Sequence, residues 1–299
     1  MPQQAFHVSG SHLDLTLESD ESIAQDPRGL VHVWQEPVQH ARYIIGCDPS
    51  VGITGWRRDL ATDGDHKTDN SAIEVFRVDA IKSPVMKDGQ SEIDPITKAP
   101  KFLYRDLQVA EFFAPVDAVE IARVCNILGR IYAGDQDDQA ELIYEAYPGP
   151  GVLTTQELMR LGYTNLWYWE TIADSVAEQT SSVGWHSNMN TQKILWYRSR
   201  RHLLERKAKI QSQWLLAEYA NAVIDIEKMR ARAAYGFHDD LIQAANMCFW
   251  AGHKWTYDPE RTWEPVTETA IVEPQRSAPV LGEYRSYKEV WANALDGWD

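Results

Sequence analysis

Between residues 43 and 169 the chain passes in order through β-rich runs, an amphipathic helix, a short apolar run, a second helix and an aromatic run, and this order limits what it can build. Residues 43–47 (YIIGC), 71–78 (SAIEVFRV) and 107–113 are dense in β-branched and aromatic residues and bounded by turn formers, so they read as strands, with 30–34 ahead of them. From 116 to 132, Val119, Ala122, Ile127 and Ile131 recur at helical spacing behind Pro115, which suits a first turn. Residues 142–144 then form a short buried strand, 148–151 a Pro-Gly turn, 153–161 an amphipathic helix and 165–169 an aromatic strand. Strand, helix, strand implies parallel pairing, so the expected class is α/β. Further helices are expected at 191–207, 213–221 and 239–250, with a short strand or loop near 223–226. Two polar stretches interrupt the strands. Residues 49–70 read as an enlarged hairpin loop, and 82–101, with three prolines, as a flexible insertion rather than an element.

A chain of 299 residues that is 44% hydrophobic can bury a sizeable core, in one large domain or two small ones. Residues 1–29 are polar and acidic and read as a leader or linker, 30–256 as the folded domain, and 257–299 as an acidic tail. That tail carries prolines and the tryptophans Trp263, Trp291 and Trp298, which need a surface to cover them. No apolar run is long enough to span a bilayer and the N-terminus lacks a signal-peptide pattern, so a membrane or exported protein is not expected. Cys47, Cys125 and Cys248 lie far apart with no CxxC pair, which points to a reducing cytoplasm. Neither GxxxxGK[ST] nor GxGxxG after a strand occurs, so no ATP site is expected.

The net charge of −15 argues against a nucleic-acid partner only if it is spread evenly. It is not. Residues 1–40 hold six acids against Arg28 alone and 257–299 hold nine against four bases, whereas 193–209 (KILWYRSRRHLLERKAK) packs seven Lys/Arg against one Glu. That run reads either as a solvated helix face or as a local basic surface.

Three acidic positions stand where a metal centre could be built. Asp48 closes a strand, Glu145 ends another before a Gly/Pro turn, and Asp239 and Asp240 open the last helix. Singly, each has an ordinary reading: a turn residue, a solvated strand end, and an N-cap complementing the helix dipole. Together they supply oxygen ligands suited to Mg²⁺ or Mn²⁺, and two such ions can clamp the attacking and leaving oxygens of a phosphodiester.

The strings YIIGCDPSVG, TDNSAIEVF, LIYEAYPGPGVLTTQELMRLGYTNLWYW, GWHSNMNTQK and GFHDDLIQAA, in this order, resemble the nuclease domain of the terminase large subunit of tailed double-stranded DNA bacteriophages, over about residues 30–252. The resemblance implies an RNase H-like fold, a mixed central β-sheet flanked by helices, and a metal-dependent endonuclease that cuts viral DNA concatemers during genome packaging. It matches Asp48 to the first-strand metal aspartate, Glu145 to the second carboxylate, and Asp239 and Asp240 to the C-terminal acidic pair. These are the expected catalytic and metal residues, for two ions of Mg or Mn. Asp69 matches a position near the metals, with a β-turn cap as its other reading. His238 would position water or phosphate, or act as a local hydrogen-bonding residue. Glu218 is expected to support the neighbouring helix or the basic face rather than the chemistry. Lys193, with Arg198, Arg200, Arg201, Arg206 and Lys207, would grip DNA.

Implied partners are double-stranded DNA, a packaging ATPase motor, a portal and a small terminase subunit, in the bacterial host cytoplasm. The family's ATPase half has no counterpart in this sequence, so a separately encoded or excised nuclease portion is expected. The alternatives are an RNase H-like junction or hybrid nuclease, and a non-catalytic packaging adaptor.

Overall fold

The computed structural model describes residues 4–6, 30–52, 70–96, 98–136, 138–173, 176–225, 230–233, 238–252 and 266–267. In chain order the elements are β1 (Gln4–Phe6), β2 (Val31–Val33), β3 (Tyr43–Asp48), β4 (Ser71–Pro84), β5 (Met86–Lys87), β6 (Gln90–Ser91), β7 (Phe102–Ala114), α1 (Ala118–Ile131), β8 (Glu141–Tyr147) and α2 (Gly151–Arg160). They continue with β9 (Tyr168–Ala173), β10 (Val176–Val183), β11 (Trp185–His186), α3 (Met189–Leu204), β12 (Ala208–Lys209), α4 (Gln213–Ala220), β13 (Ala222–Asp225), β14 (Arg230–Ala233), α5 (Asp240–Gly252) and β15 (Val266–Thr267).

One large sheet runs in the order β1-β2-β7-β4-β3-β8-β11, with β12 beside β7 and β15 beside β4. From β2 through β7 and β4 to β3 neighbours are antiparallel, and from β3 through β8 to β11 they are parallel. This mixed sheet, antiparallel strands extended by parallel ones and flanked by helices, is an RNase H-like arrangement. Its centre is β3, whose side chains alternate between two cores. Tyr43, Ile45 and Cys47 pack with Ile121, Cys125 and Leu158 of α1 and α2, and Ile44 packs with Leu241, Ala244 and Cys248 of α5. Burial on both faces explains why YIIGC is apolar throughout rather than alternating.

Local signals set the helix ends. The Asp117 side chain accepts the Val119 and Glu120 N–H groups at 2.8 and 2.9 Å, satisfying donors that the first turn leaves open. The helix therefore starts after Asp117, and Pro115 lies ahead of the cap instead of in the first turn. Asn188 caps α3 in a reciprocal box with Thr191, so the helix starts at Met189, two residues before the expected start.

Two expectations need correction. Residues 82–101 are not a structureless insertion. β4 and β7 stay paired out to Pro84 and Phe102, and β5 and β6 form a small hairpin at the tip. Lys82 Nζ lies 4.2 Å above the Phe102 ring, and Arg105 donates to the Ser83 hydroxyl, so polar side chains hold a ribbon that lacks apolar alternation. The aromatic strand at 165–169 splits instead of joining the sheet whole. Leu166 makes a single parallel bridge to Leu142, and the chain then turns into the β9–β10 hairpin before β11 takes the parallel place beside β8. At the margins of the sheet, β1 pairs with β2, and β15 pairs with the edge of β4 beyond the reach of β3. Among the described residues no helix is long and apolar enough to cross a membrane, and Cys47, Cys125 and Cys248 are free and buried.

Candidate active site

Asp48 and Glu145 meet because β3 and β8 are parallel neighbours. Cys47 pairs with Tyr144, so the next residue of each strand lies at the same level. Asp48 ends β3 as expected, whereas β8 runs on for two residues past Glu145. The third contributor comes from α5, which lies across the same face of β3 in the opposite direction. Cys248 Sγ sits 3.8 Å from the Ile44 carbonyl oxygen, and Ala244 abuts Gly46. One helical turn rises by about 5–6 Å and two strand residues by about 6.5 Å, so the next step along both elements brings Asp240 to Asp48. Gly46 makes this approach possible. A Cβ there would fall 2.8 Å from Cys248 Sγ and closer still to the Ala244 carbonyl oxygen.

The electrostatics record the same gathering. Burial pushes the Asp48 carboxyl well above the usual carboxylate range, and Glu145, Asp240 and Asp239 push it further. Glu145 is also raised by burial and by repulsion from Asp239, against hydrogen bonds from Ser187 and Asp48. Both carboxyls are thus raised together, by burial first and then by the like charges around them. His238 lies against the cluster, its Nδ1 3.5 Å from Asp240 Oδ2, in keeping with its local role.

Glu218 proves closer to the site than its sequence position suggests. Asp239 is the N-cap of α5, since its carbonyl accepts the Gln243 N–H at 2.9 Å. The N–H of Ile242, which an N-cap side chain commonly takes, is instead held by Glu218 Oε2 at 3.0 Å. The next residue, Tyr219, donates to Asn246 Oδ1 at 2.8 Å, so α4 clamps α5 at two levels. Burial, then Asp240, raises the Glu218 carboxyl well above its ordinary range. No sequence signal marked this, because the capping residue lies on another helix.

The remaining candidates stand apart. Asp69 lies outside the described residues. On α3 the basic run is partly consumed by the fold: Arg198 stacks 4.0 Å over the Trp250 ring, and Arg201 and Lys207 both pair with Glu205 at 2.6 and 2.7 Å. Trp250 lies about 15 Å along α5 from Asp240, so Arg198 braces the far end of that helix. Arg200 and Arg206 are exposed and Lys193 is half-buried, leaving a narrower basic surface than the run of seven suggests.

As a donor set, Asp48, Glu145, Asp239 and Asp240 are hard oxygen ligands of the kind Mg²⁺ and Mn²⁺ take, and the repulsion from Glu145, Asp240 and Asp239 that adds to burial at Asp48 is what a cation would relieve. Among the described residues, no three His, Cys, Asp or Glu side chains close tightly enough to hold an ion. The chemistry of the set fits divalent cations, while its side chains are gathered at one end of the sheet and not closed on one point.

No family model matches the chain, and no curated protein matches it. Solved structures are similar to it. The large terminase nuclease from thermophilic phage G20c with bound magnesium superposes with a TM-score of 0.47 at 14% identity, covering 75% of this chain and 88% of that one. The large terminase nuclease domain of Thermus phage P74-26 does so with a TM-score of 0.45 at 13% identity, covering 75% and 86%.

Proposed function

We propose that the chain is a metal-dependent endonuclease that hydrolyses phosphodiester bonds of double-stranded viral DNA during genome packaging. The observation that supports this reading is the meeting of four carboxylates, from β3, β8 and the start of α5, at one end of the sheet. Segments this far apart in sequence, with Gly46 left bare so that α5 can approach, make a costly arrangement for a purely structural role.

Asp48, between Glu145 and the Asp239/Asp240 pair, is the central ligand. With Asp239 and Asp240 it would hold one divalent ion, and with Glu145 a second. Bound there, such ions supply the Lewis-acid chemistry that lowers the pKa of water and neutralises the leaving oxygen. Glu218 holds the turn that presents Asp240, and His238 orients the Asp240 carboxylate. Basic side chains of α3 and of the turn after it, chiefly Lys193, Arg200 and Arg206, would contact phosphates and so position the duplex without reading its sequence. The packaging motor, portal and small terminase subunit are the partners this reading implies.

The test is a substrate panel of linear duplex, four-way junction and RNA–DNA hybrid, each with Mn²⁺, Mg²⁺ or EDTA. Cleavage of linear duplex to 5′-phosphate ends, abolished by EDTA, is the expected result. Preferential cleavage of the junction or hybrid would move the assignment to a resolving or hybrid nuclease, and inertness toward all three would remove the enzymatic reading.

A further inference from the structure

A cleft of about 510 Å³ opens where β8 and β11 end against the first turns of α2, lined by Ala146, Tyr147, Val152, Thr155, Ser182 and His186. Two of its walls are aromatic, and they differ in how they are held. The His186 ring stacks on Trp169, 5.7 Å between centroids and 24° between planes, and its Nε2 lies 2.9 Å from the Ser182 hydroxyl. Trp169 in turn packs on Trp185, and Trp185 on Trp250, each at 5.0 Å, so the imidazole is the outer end of an aromatic stack anchored in the core. Tyr147, 6.1 Å from His186, is 58% exposed, an unusual setting for a large ring at the end of a buried strand.

The position of this cleft relative to the carboxylates gives it meaning. Tyr147 follows Glu145 by two residues in the same strand, so the two lie about 7 Å apart along it, at the end of the sheet where the carboxylates gather. In the adjoining strand, Trp185 pairs with Glu145 and His186 with Tyr147, the register shifting between them. A nucleotide step spans such a distance. We propose that this cleft receives an unpaired base of the substrate strand, one nucleotide from the cleaved phosphodiester, stacked on Tyr147 and His186. The inference rests on the carboxylates being the reaction centre. Its consequence is specificity for local unpairing, since a base inside an intact duplex cannot reach the cleft and must first leave the stack.

The experiment pairs a cleavage ratio with a binding signal. Duplexes that are fully paired or carry a short internal bubble are cut by wild type, Tyr147→Ala and Tyr147→Phe with Mn²⁺. In parallel, Asp48→Asn protein with and without Tyr147→Ala is mixed with the bubble DNA carrying 2-aminopurine at an unpaired position, whose fluorescence falls on stacking. Wild type and Tyr147→Phe are expected to cut the bubble about tenfold faster than the paired duplex, and Tyr147→Ala to bring that ratio close to one. The 2-aminopurine signal should be quenched by Asp48→Asn and not by the double variant. Quenching that depends on Tyr147 in a protein that cuts nothing would uphold the stacking site and sink the nuclease reading. Cleavage with an unchanged ratio, or quenching indifferent to Tyr147, overturns the stacking site and leaves the nuclease reading standing.

Discussion

Gly46 occupies the middle of β3, where glycine contributes no packing and weakens a strand. Its value lies in what the missing side chain admits, namely the backbone of α5 at Ala244. Gly46→Ala should therefore cost about 2–3 kcal/mol, as overpacked cores do, and should lower activity beyond what the loss of stability explains, because α5 carries Asp240 away from Asp48. Melting temperature and single-turnover cleavage on the same sample check this. A second buried acidic pair makes a different demand. Glu74 and Glu111 face each other across β4 and β7, both fully buried. Gln108 donates to Glu74 Oε2 at 2.6 Å and accepts the Gln211 and Ser212 N–H groups, both at 2.7 Å. Burial pushes Glu111 up to about 7 despite its contacts with Ser212, Glu74 and Gln108, and the Glu218 carboxyl also faces the pair. A carboxyl raised on folding stabilises fully below its unfolded value, and that contribution is lost as pH rises through its folded value. Wild-type melting temperature should thus fall between about pH 5 and about pH 8, and Glu111→Gln should flatten that fall. An unchanged slope would show that the pair does not govern it.

At the level of elements, the hold of α4 on α5 decides how well the acidic pair is aimed. Glu218→Gln keeps an oxygen for the Ile242 N–H and should cut DNA within about twofold of wild type, whereas Glu218→Ala leaves the helix end without its cap, at about 1 kcal/mol. Faster hydrogen exchange at Ile242 together with a higher Mn²⁺ requirement in the alanine variant would mark a positioning role. Exchange that quickens without any change in metal requirement would confine Glu218 to structure. The same clamp shows where sequence reading reached its limit. β3, β4 and β7, α1 and the pairing of β3 with β8 were legible because apolar period and turn residues carry them. The places of Asp48, Asp239 and Asp240 at element ends were legible too, while β8 runs two residues past Glu145. What escaped was held by partners remote in sequence or by polar contacts. The Glu218 cap belongs to another helix, the β9–β10 hairpin is spelled mostly in Thr, Glu, Gln and Ser, and Arg198, Arg201 and Lys207 looked like one basic face until Trp250 and Glu205 claimed them.

For the whole molecule, a net charge of −15 and four gathered carboxylates oppose DNA, and among the described residues a narrow basic strip on α3 and the turn after it favours it. Binding should be weak and steeply salt-dependent, because each phosphate contact releases condensed counterions and few contacts are available. On the proposed function divalent ions would have two effects: they would neutralise the carboxylate end and complete its chemistry. Both would pass through Asp48, which no basic side chain of α3 can replace. The most direct measurement is cleavage of supercoiled plasmid at low salt by wild type, Asp48→Asn and Asp240→Asn, each folded by circular dichroism, in Mn²⁺, Mg²⁺, Ca²⁺ or EDTA. Nicking and linearisation by the wild type in Mn²⁺ or Mg²⁺, absent in EDTA and lost in both variants, is the outcome expected of this site. Cleavage that survives either substitution, or a folded wild type that leaves the plasmid intact with every metal, would contradict it.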